Sequence, residues 1–351
     1  IRPAFALAWS RFLEKAQLLR HSPSELWAEP DDAEHLPLGK KEPQKTHTPF
    51  DQYLDEWVKS QTSMRSRQID SYKKIISEFA TTDGGVAIES LSKRVVQKYA
   101  EGLIVDGGSE LTTKTVRSRL AALRNYWSYL QAHEHAGDLE PFEGLKLPIR
   151  EGVPRDRFSP KEVIDLWHAA KNRKMDDLAD LIRLGAFMGG RIESLSNIKA
   201  SDVQIDEESG HRYIHIKRDK TYSGTRDVPV HSAIDALISR RLKTAHLNEG
   251  YLFPSTAKNK YEERSSAYSK AFGRLKTSLH FGPQHVFHSL RKTMARMFDD
   301  AGVSESIAAD ILGHKKLSMT YGVYAGVTSI PIKKTAVEKA LKYSDAAFMG
   351  G

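Results

Sequence analysis

Residues 193–231 read ESLSNIKASDVQIDEESGHRYIHIKRDKTYSGTRDVPVH, and this stretch decides the fold. It holds three short β-branched or aromatic runs, DVQI (202–205), RYIHIKR (212–218) and RDVPVH (226–231), joined by glycine-containing turns. Such runs, too short for helices and bounded by turn residues, predict a small antiparallel sheet. Everything around them has helical periodicity, so the expected fold is mainly α with a small antiparallel β-sheet.

Upstream, Ser159 followed by Pro160 is a good helix start, with serine at N-cap and proline at the first helical position of PKEVIDLWHAA. The helix MDDLADLIRLGAFMGG (175–190) ends on two glycines. Downstream, helical patterns run through SAIDALISRRLKTAH (232–246), SSAYSKAFGRLKTSL (265–279), HSLRKTMARMFDDAG (288–302), SESIAADILG (304–313), SMTYGVYAG (318–326) and IPIKKTAVEKALKYS (330–344). Further upstream, residues 48–148 predict four helices separated by TTDGG and DGGSE turns, enough for one small bundle. Its last helix sets Val116, Leu120, Leu123 and Trp127 on one face, with Lys114, Arg117, Arg119 and Arg124 spread elsewhere. Residues 1–20 look helical, and the proline-rich polar stretch after them is a connector. The expected organisation is 1–47 N-terminal helix and linker, 48–148 helical bundle, 149–329 larger mixed domain, and 330–351 tail helix.

With 351 residues, 40% hydrophobic and 28% charged, the chain is long enough to bury more than one core. It contains no cysteine, which excludes disulfides, thiolate nucleophiles and cysteine zinc sites. No apolar run approaches the roughly 18–20 residues of a membrane span, and the opening segment carries charges where a signal peptide is apolar. A cytoplasmic, nucleoid-associated protein with no membrane partner is the expectation. The formal charge of +8 is unevenly spread: residues 1–48 carry 7 basic and 7 acidic side chains, residues 49–148 carry 13 and 14, and residues 149–351 carry 33 and 24. A surplus confined to the C-terminal half fits a polyanion partner there, although charge alone is equally compatible with a solvated basic surface.

Three motifs stand out in order: GGRIESL (189–195), HSLR (288–291) and GHKKLSMTYGVYAG (313–326). Each alone is weak, since a histidine and an arginine three apart is a common accident among 14 histidines, and an arginine after two glycines is as readily a cap or a carboxylate partner. Together they resemble the tyrosine recombinases of the phage-integrase family over about residues 49–330. The resemblance implies a helical core-binding (SAM-like) domain that grips DNA and a tyrosine-recombinase catalytic domain. It maps the family's site onto Arg191, Lys220 in the hairpin, His288, Arg291, His314 and a tyrosine in YGVY. It implies double-stranded DNA attachment sites as substrate, strand exchange through a Holliday junction by a tetramer, and accessory DNA-bending or directionality proteins as further partners.

These residue types also make chemical sense by themselves. Attack on a phosphodiester builds negative charge on the non-bridging oxygens, which two guanidinium forks, Arg191 and Arg291, can hold bidentately. His288 and His314 can hydrogen-bond the same oxygens or move a proton near neutral pH. A hairpin lysine, Lys220 or alternatively Lys217, can protonate the leaving 5′ oxygen. A phenol can attack phosphorus, and the covalent 3′-phosphotyrosine conserves the energy of the broken bond, so ATP is not required. No carboxylate cluster or zinc motif is present to imply a metal.

The pattern departs from the family at two places. Position 194, where the family carries an acid, is serine, and the acid is Glu193, whose role stays open. The tyrosine falls nine positions after the Gly-His histidine in the family, whereas Tyr321 lies seven on and Tyr324 ten on. Tyr324, beside Ala325 and Gly326 at a helix end, is the expected nucleophile, with Tyr321 as its neighbour. Lys292 is a possible phosphate contact. A type IB topoisomerase-like relaxase uses a similar residue set, and a non-catalytic DNA-binding protein is the reading from a different class. The tail carries an apolar stripe of Ile332, Val337, Ala340 and Leu341, which either packs on its own domain or, as the resemblance implies, docks onto a neighbouring protomer.

Overall fold

The computed structural model of the chain describes residues 47–105, 111–217, 225–255, 260–261, 263–314, 327–343 and 348. The helix expected over 1–20, the hairpin tip with Lys220 and the segment with Tyr321 and Tyr324 lie outside the described residues.

Four helices form the first body: α1 (Leu54–Ser60), α2 (Ser66–Ala80), α3 (Lys93–Ile104) and α4 (Thr113–Ala132). Ser92 and Thr112 cap α3 and α4 by accepting from the Val95 and Thr115 amides, which satisfies donors that a helix start leaves open. The face of α4 with Val116, Leu120, Leu123 and Trp127 is buried with Phe50, Trp57, Phe79, Val96 and Phe142 in one core. Two of its four cations serve that body: Arg119 pairs with Glu78 at 2.8 Å and Arg124 donates to the Phe142 carbonyl at 2.6 Å. Lys114 and Arg117 are exposed.

The second body begins at α5 (Pro160–Asn172), where Ser159 and Glu162 form a reciprocal capping box. Next come α6 (Asp176–Met188), the short α7 (Ile192–Ser196), and strands β1 (Val203–Ile205), β2 (Arg212–Ile216) and β3 (Arg226–Pro229). The strands form an antiparallel sheet in the order β1-β2-β3, with Ile214 opposite both Val203 and Val228. Alternation sends Ile214, Ile216 and Val228 into the core. Helices α8 (Ser232–Thr244), α9 (Ser266–Ser278), α10 (Ser289–Asp300), α11 (Glu305–Leu312) and α12 (Ile330–Ala340) complete it. Helix α6 is buried along most of its length and packs against both α5 and α10, so its C-terminal end is held at the centre of this body.

The tail helix α12 lies on its own domain. Val337, Ala340 and Leu341 join the second core with Tyr343 and Phe348, while Ile332, expected on the same stripe, is 52% exposed. Lys333, buried in the same helix, donates Nζ to the Asp227 carbonyl of β3 at 3.0 Å. Between the two bodies, Asp70 of α2 accepts from Lys260 Nζ at 2.5 Å and Tyr261 Oη at 2.7 Å, and Arg67 pairs with Glu263. No helix among the described residues is long and apolar enough to cross a membrane.

Candidate active site

The turn after α6 organises the site. Gly189 is left-handed at φ 59° and ends the helix, and a Cβ there would lie 2.7 Å from Leu312 Cδ2 and 2.8 Å from Met294 Sδ. A Cβ on Gly190 would lie 2.5 Å from Leu195 Cδ2. Gly189 therefore lets α10 and α11 close on this turn, and Gly190 lets Leu195 of α7 fold back against it. Arg191 follows in extended conformation at the N-cap of α7, with an exposed side chain.

Arg291, one turn into α10, is only 4% exposed and donates Nη1 to the Gly189 carbonyl at 3.1 Å. A buried guanidinium must be hydrogen-bonded, and this bond fastens one site arginine to the turn that presents the other. His288 stands at the N-cap of the same helix. Burial holds its imidazole below the ordinary value, and the charges of Arg291, Arg191, Lys292 and His314 push the same way.

His314 comes from the end of a third helix. Helix α11 ends in a left-handed Gly313, and the amides of Gly313 and His314 both donate to the Ala309 carbonyl, at 2.7 and 3.0 Å. Burial lowers the His314 pKa, and Arg291, Arg226 and Arg191 lower it further. The structure thus brings together Arg191, His288, Arg291 and His314, four of the six residues marked in the sequence.

The other two lie outside the described residues, but their roots are visible. The hairpin loop with Lys220 leaves from the Ile216–Arg226 pair at the open end of β2 and β3. Segment 315–326 departs from His314 and returns at Thr328, whose amide and hydroxyl both donate to Asp310 Oδ2 of α11, at 2.9 and 2.5 Å. Lys217, the alternative to Lys220, gives its ammonium to the buried Asp202 at 2.5 Å.

Three further side chains have contacts that the motifs did not specify. Lys292 donates Nζ to the Arg155 carbonyl at 2.6 Å, so its hydrogen bond goes to the interdomain connector. Glu193 accepts from Asn197 Nδ2 at 2.8 Å and from Ser265 Oγ, which joins α7 to the start of α9. Arg226 belongs to the site's electrostatics although no motif pointed to it. Strand alternation puts Arg226 on the inward face with Val228, but nothing in RDVP points to the Ile311 carbonyl that it meets.

An open cleft of about 1710 Å³ runs between α2 and the Arg191 side of the second body, with Arg65, Arg67, Arg191, Lys199, Lys217 and Lys260 on its walls. Glu193, Asp202 and Glu263 line it as well, and Arg67, Lys217 and Lys260 are paired with Glu263, Asp202 and Asp70.

Residues 156–329 match the model of the phage integrase family. The chain is 27% identical over 297 residues to the tyrosine recombinase XerA of Pyrococcus horikoshii, covering 79% of this chain and 97% of that protein. It is 26% identical over 295 residues to a XerC-like tyrosine recombinase of Caldanaerobacter subterraneus subsp. tengcongensis, covering 72% of each. Its fold is similar to that of a lambda integrase tetramer solved on a Holliday junction, with a TM-score of 0.60, 19% identity and 88% of each chain covered.

Proposed function

We propose that the chain is a tyrosine recombinase of the phage integrase family, whose model matches residues 156–329, and that it is a site-specific DNA recombinase acting on double-stranded attachment sites. The observation that carries this reading is the convergence of Arg191 at the head of α7, His288 and Arg291 at the start of α10, and His314 after α11, with Arg291 bonded to the turn before Arg191. On this reading residues 48–148 grip the duplex, residues 149–329 carry the chemistry, and four copies assemble on two sites. Accessory DNA-bending or directionality proteins, and association with the nucleoid, belong to the same reading.

In the proposed reaction, Arg191 and Arg291 hold the non-bridging oxygens of the scissile phosphate as negative charge builds. The Tyr324 hydroxyl attacks phosphorus and its proton passes to a neutral site histidine. The P–O5′ bond breaks, Lys220 protonates the leaving 5′ oxygen, and a 3′-phosphotyrosine remains. A 5′ hydroxyl from the other duplex then attacks the phosphotyrosine and frees the tyrosine. Two such rounds form and resolve a Holliday junction.

The test is a nicked suicide duplex carrying the attachment site, followed by mapping of the trapped peptide. Tyr324→Phe should abolish the covalent adduct, whereas Tyr321→Phe should leave it weakened but present. The reverse pattern would reassign the nucleophile, and no adduct on a verified site would sink the enzyme reading.

A further inference from the structure

The geometry points to Arg226 as a positioning residue for His314: buried on the sheet, it pins the end of α11 on which that histidine stands and sets a third arginine charge behind the site. The inference rests on the recombinase reading only for what His314 does; the contact itself is structural.

Arg226 is 7% exposed and donates Nε to the Ile311 carbonyl at 2.8 Å. Ile311 lies in the last turn of α11, where carbonyls lack partners within the helix and where the helix dipole favours a cation. The two amides that follow, of Gly313 and His314, both go to Ala309. The Arg226 bond therefore ties a different carbonyl of the same corner to β3. A side chain at the end of a strand thus fixes the height and rotation of a helix end, and His314 is the second residue past that helix.

The same strand residue begins the hairpin. Arg226 pairs with Ile216, and the loop with Lys220 lies between them. Through one side chain the root of that loop and the root of segment 315–326 are joined.

Among the described residues, the groups that face His314 are Arg291 from α10, Arg226 from β3 and Arg191 from the head of α7, and the charge of His314 in turn acts on His288 at the start of α10. On its own helix, Asp310 is held by Thr328. Three cations around one imidazole favour its neutral form, the form able to accept a proton or a hydrogen bond.

The test uses the full chain with labelled histidine, in three variants: Arg226→Gln, Arg226→Lys and His314→Ala. In Arg226→Gln the His314 resonance should shift and its titration midpoint should rise, while Arg226→Lys, which keeps a charge and a donor, should restore the midpoint toward wild type. On the suicide duplex, His314→Ala should cost about a hundredfold or more in cleavage rate, the usual contribution of a positioned acid–base group, and Arg226→Gln about tenfold to a hundredfold with DNA affinity retained. The double variant should lose no more than His314→Ala alone, since one residue acts through the other.

A His314 midpoint unmoved in a folded Arg226→Gln protein, or rate losses that simply multiply, would overturn the assignment. If Arg226→Gln does not fold, Arg226→Lys decides: a folded protein with a wild-type-like His314 supports it, and a second failure to fold shows a role in the fold alone. A wild-type chain that forms no adduct counts against the recombinase reading, while the titration still reports on Arg226.

Discussion

At the scale of single residues, the site is a set of cations surrounding two imidazoles, and this has a sign that can be measured. His288 and His314 are both held below the ordinary histidine value, first by burial and then by neighbouring arginines. An unfolded chain would protonate both near pH 6.5, a value roughly that of free histidine, while the fold resists it. Linkage then requires the folded state to lose stability as pH falls through that region and to keep it in full above. Cleavage that uses a neutral imidazole should fall over the same acid range. Titration of the labelled histidines should place both midpoints below about 6.5, and Arg191→Ala should raise both, because Arg191 contributes to each and is exposed enough to remove without disturbing the core. A midpoint at the ordinary value, or no response to losing Arg191, would contradict the arrangement. The histidines and arginines were legible as residue types in order, whereas Arg226 was not, since an arginine on a strand declares itself only through the carbonyl it meets in a helix 85 residues away.

At the scale of elements, the junction of α6, α10 and α11 converts packing into site geometry. The sequence showed that α6 ends on two glycines, and it showed three strands whose runs match the observed ones within two residues. Those signals are local: turn chemistry, capping and alternation act within a few residues. What Gly189 admits is not local, because Leu312 and Met294 come from elements more than a hundred residues downstream. Gly189→Ala should therefore act twice, through a left-handed backbone that costs a side chain roughly 1–2 kcal/mol and through overpacking worth roughly 1–3 kcal/mol. The expected result is a lower melting temperature together with a loss of adduct larger than any loss of DNA affinity, since the carbonyl that Arg291 holds belongs to Gly189 itself. A variant that melts lower but cleaves normally would show that the turn supports the fold without positioning the arginines. Lys292 makes the same point about range: its neighbour in sequence is a site arginine, but its hydrogen bond goes to the connector at Arg155.

At the scale of the whole molecule, two hydrophobic cores lie on either side of the connector, and the cleft between them collects charged side chains from both. The tail is where sequence reading left two arrangements open, because an apolar stripe looks the same whether it covers its own domain or a neighbour's. In this chain Leu341 is 1% exposed and Lys333 is fastened to β3, so the stripe is used internally, while Ile332 points outward. Leu341→Ala should then cost roughly 2–5 kcal/mol of unfolding free energy. Ile332→Ser, on the outer side, should change it by no more than about 0.5 kcal/mol. Denaturation at two well-separated protein concentrations distinguishes the arrangements, because stability gained from a second copy depends on concentration and stability gained within one chain does not. Equal losses at both concentrations would place the tail on its own domain in solution. A loss for Leu341→Ala that appears only at high concentration would instead mean that the tail is exchanged between copies, and that α12 must leave the core seen here when the protein assembles.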